Sequence, residues 1–141
     1  NKDRVDENKV PLANADGIKA GKSLFEANCV ACHLKDGGGS VGPNLTDDYW
    51  IHKGSLNDIY KTIKNGYPDK GMQSWSSTFS EKEISFLASY VKSLRGTKPL
   101  VAKAQQGEFY VDAPAAADSA GIVKPDSLKV AKPDSAATIK K

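Results

Sequence analysis

Cys29, Cys32 and His33 stand in the stretch NCVACHLKDGGGSVGPNL, residues 28 to 45, and the two cysteines are the only ones in a chain of 141 residues. On a helical turn, side chains three apart share a face at about 5–6 Å, while the next residue points about 100° further round. Two thiols so placed can each add to one of two neighbouring vinyl groups on a flat macrocycle, and the imidazole can then meet a metal at its centre. C-x-x-C-H reads accordingly as a site of covalent haem c attachment. Other chemistries of paired thiols fit less well. A thioredoxin-like redox pair needs a βαβ setting, and no such alternation is visible. A structural zinc ion needs four ligands; beyond these three the chain offers the distant His52, and adjacent Cys32 and His33 are awkward at one tetrahedral ion. A plain buried pair of thiols explains neither the spacing nor His33.

A haem iron has a second axial position, for which the choices are Met72, His52 or an open site for a small molecule. A lone methionine is usually core filler. Met72, however, follows Gly71 in the polar, turn-rich stretch GYPDKGMQSWSSTF, away from any helical stripe. Thioether ligation gives a bare hydrophobe a reason to stand there, and a His/Met pair raises the reduction potential relative to bis-histidine ligation. His52, in DDYWIHKGS, reads as a solvated or propionate-side histidine, because loop residues beside a helix start are commonly exposed. A labile Met72 would instead make a ligand-binding or peroxidase-like haem protein. A haem-free metal-binding interaction module is a further alternative, and the long C-terminal tail is the best argument for it.

Three helical patterns must position these groups, and no stretch reads as a convincing strand. The first runs from about Asp16, as its cap, to Asn28, with Ile18, Gly21, Leu24 and Phe25 on one face. The second, about Ser55 to Asn65, presents Leu56, Ile59, Tyr60 and Ile63 and ends at Gly66, where a left-handed cap belongs. The third opens with Ser80 and Glu83 as a capping box, carries the stripe Ile84, Leu87, Ala88, Val91 and Leu94, and stops at Gly96. Three short helices and two long loops make a thin core, and so small a domain often needs a staple or a large apolar cofactor to complete it.

Composition sets the boundaries. A formal net charge of +3 with both signs interspersed gives no strongly basic face for nucleic acid. No apolar run approaches the roughly 18–20 residues of a membrane span, so the chain reads as soluble, with any export signal or anchor either already removed or never part of it. Residues 1–14 read as a polar leader or linker, 15–96 as the domain, and 97–141 as an Ala/Pro/Lys-rich extended tail in which KPDS occurs at Lys124–Ser127 and again at Lys132–Ser135. The tail is expected to act as a linker or docking strap whose removal leaves the site unchanged.

From Asp16 to Gly96 the chain resembles a class I cytochrome c domain: CVACH after a helix with Gly21 and Phe25, the GPNL loop at Gly42 to Leu45, a methionine loop, and a final amphipathic helix. More narrowly, GPNLTDDYWIHKGSLNDIYKTIKNGYPDKGMQSW, followed by ASYVKSLRGTKP and AKAQQGE, resembles the haem-bearing C-terminal part of the third subunit of C-family (cbb-type) haem-copper oxidases, over about Asn8 to Glu108. The resemblance implies an all-α cytochrome c fold of three to four short helices and long loops around one covalent haem c. It implies thioether bonds from Cys29 and Cys32, His33 as proximal and Met72 as distal ligand, and a bond from the other His33 ring nitrogen to the carbonyl of Pro43. Leu45, Ile59, Ile63 and Trp75 would wall the haem, and Gly21 and Phe25 would meet the last helix near Leu87 and Tyr90. The implied function is electron transfer rather than catalysis. Electrons would come from a donor cytochrome or quinol-oxidising complex and pass to the oxygen-reducing subunit of an oxidase, on the periplasmic side of a bacterial membrane. A soluble carrier outside any oxidase is the neighbouring possibility. Subunits of this type usually carry a membrane anchor and often two haem motifs, whereas this chain has one motif and no span, as a trimmed domain or a soluble relative would.

Overall fold

Helix α1 (Ala15–Asn28), the single turn α2 (Val30–His33), α3 (Leu56–Asn65) and α4 (Glu81–Ser93) make up the computed structural model, with a 3-10 turn at Pro68–Lys70. It describes residues 3–112, so the KPDS repeats and most of the expected tail lie outside the described residues. The small helical cytochrome c fold expected from the resemblance is what these elements build. Two strands that the sequence did not announce, β1 (Tyr49–Trp50) and β2 (Glu108–Phe109), pair antiparallel with Tyr49 opposite Phe109. At two residues each they are too short to show an alternating pattern.

The helix ends follow local chemistry. Asn14, not Asp16, caps α1: its side chain accepts from the Gly17 N–H at 2.9 Å, and Asp16 lies inside the first turn, where its negative charge favours the helix N-terminus. Ser55 caps α3 by accepting from the Asp58 N–H, and Gly66 ends that helix at φ 67°, with its N–H on the Thr62 carbonyl. Ser80 and Glu83 close a full capping box at α4, with bonds of 3.1 and 2.9 Å.

The core lies where α4 crosses α1 and packs on α3. Ile84, Leu87, Ala88, Val91 and Leu94 are all buried, together with Phe25, Ile59, Tyr60 and Ile63. Gly21 makes the α1–α4 crossing close: a Cβ there would collide with the Phe86 carbonyl and crowd the Leu87 N–H. One turn on, the Phe25 and Tyr90 rings meet at 5.3 Å.

Residues on both sides of 15–96 pack onto this core. The Val5 N–H donates to Glu81, Val10 to Asn57 and Ala13 to the Ser89 hydroxyl, each at 2.8–2.9 Å, and Val10 is itself buried. Beyond Gly96, Leu100 N–H donates to Asp36, Lys103 N–H to the Gly38 carbonyl and Tyr110 N–H to the Asp48 carbonyl. Polar composition suggested a leader and a linker, but these segments are held by hydrogen bonds to fixed acceptors, which hydropathy does not register. The described residues to Val111 form one compact unit. Among them, no helix is long and apolar enough to cross a membrane.

Gly21→Ala should force the α1–α4 crossing apart and cost about 2–3 kcal/mol, the range of an overpacked core. Urea unfolding followed by circular dichroism measures it, and a loss below about 0.5 kcal/mol would contradict the close crossing.

Candidate functional site

Helix α1 delivers the first cysteine. Cys29 caps it with an N–H bond to Phe25 at 2.8 Å, and the Cys29 carbonyl then accepts from Cys32 N–H at 3.3 Å and His33 N–H at 3.0 Å. These bonds wind Val30–His33 into a single turn, so Cys29 and Cys32 stand one turn apart, with His33 next round the helix. Leu34 leaves the turn at φ 65°, ψ 160°, a conformation leucine rarely adopts, and swings the chain away sharply. The loop that follows folds back on the same turn: Gly39 N–H reaches the His33 carbonyl, and Ser40 and Gly42 N–H both reach the Cys32 carbonyl, at 2.8–3.0 Å.

The imidazole is fixed from two directions. His33 Nδ1 lies 3.0 Å from the Pro43 carbonyl. A carbonyl only accepts, so Nδ1 carries the hydrogen and Nε2 presents its lone pair. Gly42 lies against the ring, where a Cβ would stand 2.6 Å from Cε1 and 3.0 Å from Nε2. Burial is the largest influence on His33 and holds its pKa below the ordinary histidine value; the Pro43 bond opposes this and the charge of Lys103 adds to it. The neutral form so favoured is the one that ligates metals. Both thiols are free and half-exposed. Burial, then the neighbouring Cys32, pushes the Cys29 thiol up to about 11.

Met72 stands in a short bridge with Tyr67. Tyr67 N–H donates to the Met72 carbonyl at 2.7 Å and Met72 N–H to the Tyr67 carbonyl at 3.1 Å, around the 3-10 turn. The loop is moored to the end of α3 by the Ser74 hydroxyl on Lys64 and the Trp75 N–H on Ile63, and Trp75 stacks on Phe79. Cys29, Met72 and Trp75 pack, partly buried, against the core that contains Leu45, Ile59 and Ile63. Cys32 and His33 share the turn that begins at Cys29, and Pro43 is bonded to His33. His52, expected to be a solvated or propionate-side histidine, is half-buried, its ring stacked flat on Tyr67 with centroids 3.4 Å apart. Among the described residues no three His, Cys, Asp or Glu side chains gather in a group that could hold a metal ion.

Two residues at the site carry roles the sequence did not show. Gly42 belongs to the GPNL motif, but nothing in its spacing says that it lies against an imidazole. Lys103 lies beyond the expected domain end, yet its Nζ reaches the carbonyls of Val41 and Gly42 at 3.3 and 3.5 Å.

The fold and this turn define a small cytochrome c domain of class I. The chain belongs to the family described as cytochrome c oxidase, cbb3-type, subunit III, whose model matches residues 16–91. It is similar to the cbb3-type cytochrome c oxidase subunit FixP of Azorhizobium caulinodans, 42% identical over 96 residues that cover 62% of this chain and 31% of that protein. It is similar also to the subunit CcoP of Azospirillum sp. strain B510, 33% identical over 123 residues covering 78% and 41%. The chain thus spans well under half the length of these relatives. Among solved structures it is similar to cytochrome cL of Methylophaga aminisulfidivorans, with a TM-score of 0.54 and 29% identity over 59% of this chain and 56% of that one.

With both thiols reduced and unmodified, Cys29 should resist alkylation. A pKa raised to about 11 leaves the thiol protonated through neutral pH. At pH 8 its reaction with iodoacetamide should run about a hundredfold slower than that of a free cysteine, and should quicken up to about pH 11. Peptide-resolved mass spectrometry over a pH series reads the rate, and free-cysteine reactivity at pH 8 would contradict the burial.

Proposed function

We propose that this chain carries one haem c, bound by thioether links from Cys29 and Cys32 with His33 and Met72 as axial ligands, and that it transfers electrons without transforming a substrate. The observation that carries this reading is the state of His33: Nδ1 is committed to the Pro43 carbonyl, Gly42 lies against the ring, and Nε2 keeps a lone pair on a residue that shares its helical turn with two free cysteines. That donor set suits a group that offers two vinyl carbons and one metal. A haem held there supplies reversible one-electron exchange at its iron.

The chain's own groups account for the rest. The Pro43 bond orients the imidazole and raises its basicity. Met72 offers a thioether, a soft neutral donor, from a bridge that fixes its backbone on both sides. Buried Leu45, Ile59 and Ile63, with Trp75, would exclude water from the ring and so help set the potential.

The family and the oxidase names of the relatives support a place in a cbb3-type oxidase. In that setting the domain works on the periplasmic side of a bacterial membrane, receives electrons from a donor cytochrome or quinol-oxidising complex, and passes them toward the oxygen-reducing subunit. Such encounters are brief and bury less than about 1,200 Å² in total.

Protein made with haem-attachment machinery should show a c-type spectrum that carbon monoxide leaves unchanged in the reduced form, because both axial positions are filled. Met72→Ala should bind carbon monoxide and titrate at a lower potential. Absence of haem absorbance would sink the reading of Cys29, Cys32 and His33, and a carbon monoxide shift in the unaltered protein would sink Met72 ligation.

A further inference from the structure

Lys103 touches the loop beside His33 with every polar group it has. Its N–H donates to the Gly38 carbonyl at 2.8 Å, its carbonyl accepts from Asn44 Nδ2 at 3.2 Å, and its Nζ reaches the carbonyls of Val41 and Gly42 at 3.3 and 3.5 Å. The partners are themselves fixed. Asn44 is buried and its Oδ1 accepts from both the N–H and the hydroxyl of Thr46 at 2.8 and 2.7 Å. Gly42 is the residue that lies against the imidazole, and Pro43, next in the chain, accepts from its Nδ1.

A surface lysine ordinarily gives its charge to water and wanders through its rotamers. This one is half-buried, its backbone is held at both ends, and its ammonium is pointed at the two carbonyls preceding Pro43. Two other charges stand on this loop: Lys35 is exposed, and Asp36 is engaged through its two oxygens by the N–H groups of Gly38 and Leu100.

We propose that Lys103 is a positioning residue for charge: anchored on Val41 and Gly42, it holds a cation beside the His33 ligand and raises the potential of the iron that His33 binds. The proposal rests on the haem reading above. Ferric iron carries one more positive charge than ferrous, so a fixed cation nearby disfavours the oxidised state, and less of its effect is lost to screening than for a solvated charge. The aliphatic stem and the backbone bonds survive in Lys103→Met, which removes the charge together with the Nζ bonds to Val41 and Gly42, while Lys103→Arg keeps the charge and N–H donors.

The test is a spectroelectrochemical titration of the full haem-loaded chain as wild type, Lys103→Met and Lys103→Arg, with thermal melts beside it. At the wild-type midpoint, Lys103→Met should raise the ferric-to-ferrous ratio about threefold, which is about 28 mV at 59 mV per tenfold for one electron, and Lys103→Arg should restore the wild-type ratio. A Lys103→Met protein that melts lower but titrates at the wild-type potential would overturn the proposal and leave Lys103 a strap. So would a Lys103→Arg protein that shifts as far as Lys103→Met. Wild-type protein without haem would instead remove the reading on which the proposal stands, and the spectrum reveals that before any potential is measured.

Discussion

The approach of α1 to α4 at Gly21 is the contact on which the rest depends. Because position 21 has no side chain, the backbone of α1 lies directly on the Phe86–Leu87 peptide of α4. That closeness brings Phe25 against Tyr90 and seals the core at one end. It also sets the direction in which α1 runs, and α1 ends in the cysteine turn: Cys29 is its cap, hydrogen-bonded to Phe25. The position of the thiols is therefore decided about two helical turns upstream, by a packing constraint with no chemical role of its own.

What the helices leave open, hydrogen bonds close. The loop from Asp36 to Thr46 is held by carbonyls of the cysteine turn on one side and by residues 97–111 on the other. Each such bond contributes only about 1 kcal/mol net. Together they define the orientation of one imidazole, because Pro43 and Gly42 sit in the middle of the loop they hold. A small domain cannot assign this work to apolar burial alone, since it has too little interior to spare.

How much of this was legible follows from the kind of force involved. Periodicity reports burial, so α3 and the start of α4 were readable to within a residue, as was the capping box at Ser80, while α4 ends at Ser93, short of the expected stop at Gly96. The cysteine turn was legible because Cys29, Cys32 and His33 are adjacent in sequence, and the Pro43 bond because a resemblance supplied it. The helix cap went to Asn14 rather than Asp16 because two good capping residues lay two apart and only the fold chooses between them. Strands of two residues, the packing of Val10, and the grip of Lys103 on Gly38 and Asn44 depend on partners 40 or more residues away, and no local pattern encodes them.

The two proposed axial ligands are held by unlike means, and this difference carries a consequence for how the site behaves. His33 is restrained within its own helical turn, by Pro43 at Nδ1 and by Gly42 against its ring, each of these secured by further bonds. Met72 hangs from one two-bond bridge to Tyr67, in a loop whose other moorings are at Ser74 and Trp75, and its side chain has three rotatable bonds. The outer face of that bridge is braced by the stack of His52 on Tyr67. Restraints that are few and local open at lower free energy than restraints that are many and interlocked. On the proposed ligation, therefore, any loosening of the site begins at Met72, with His33 and both thiols still in place.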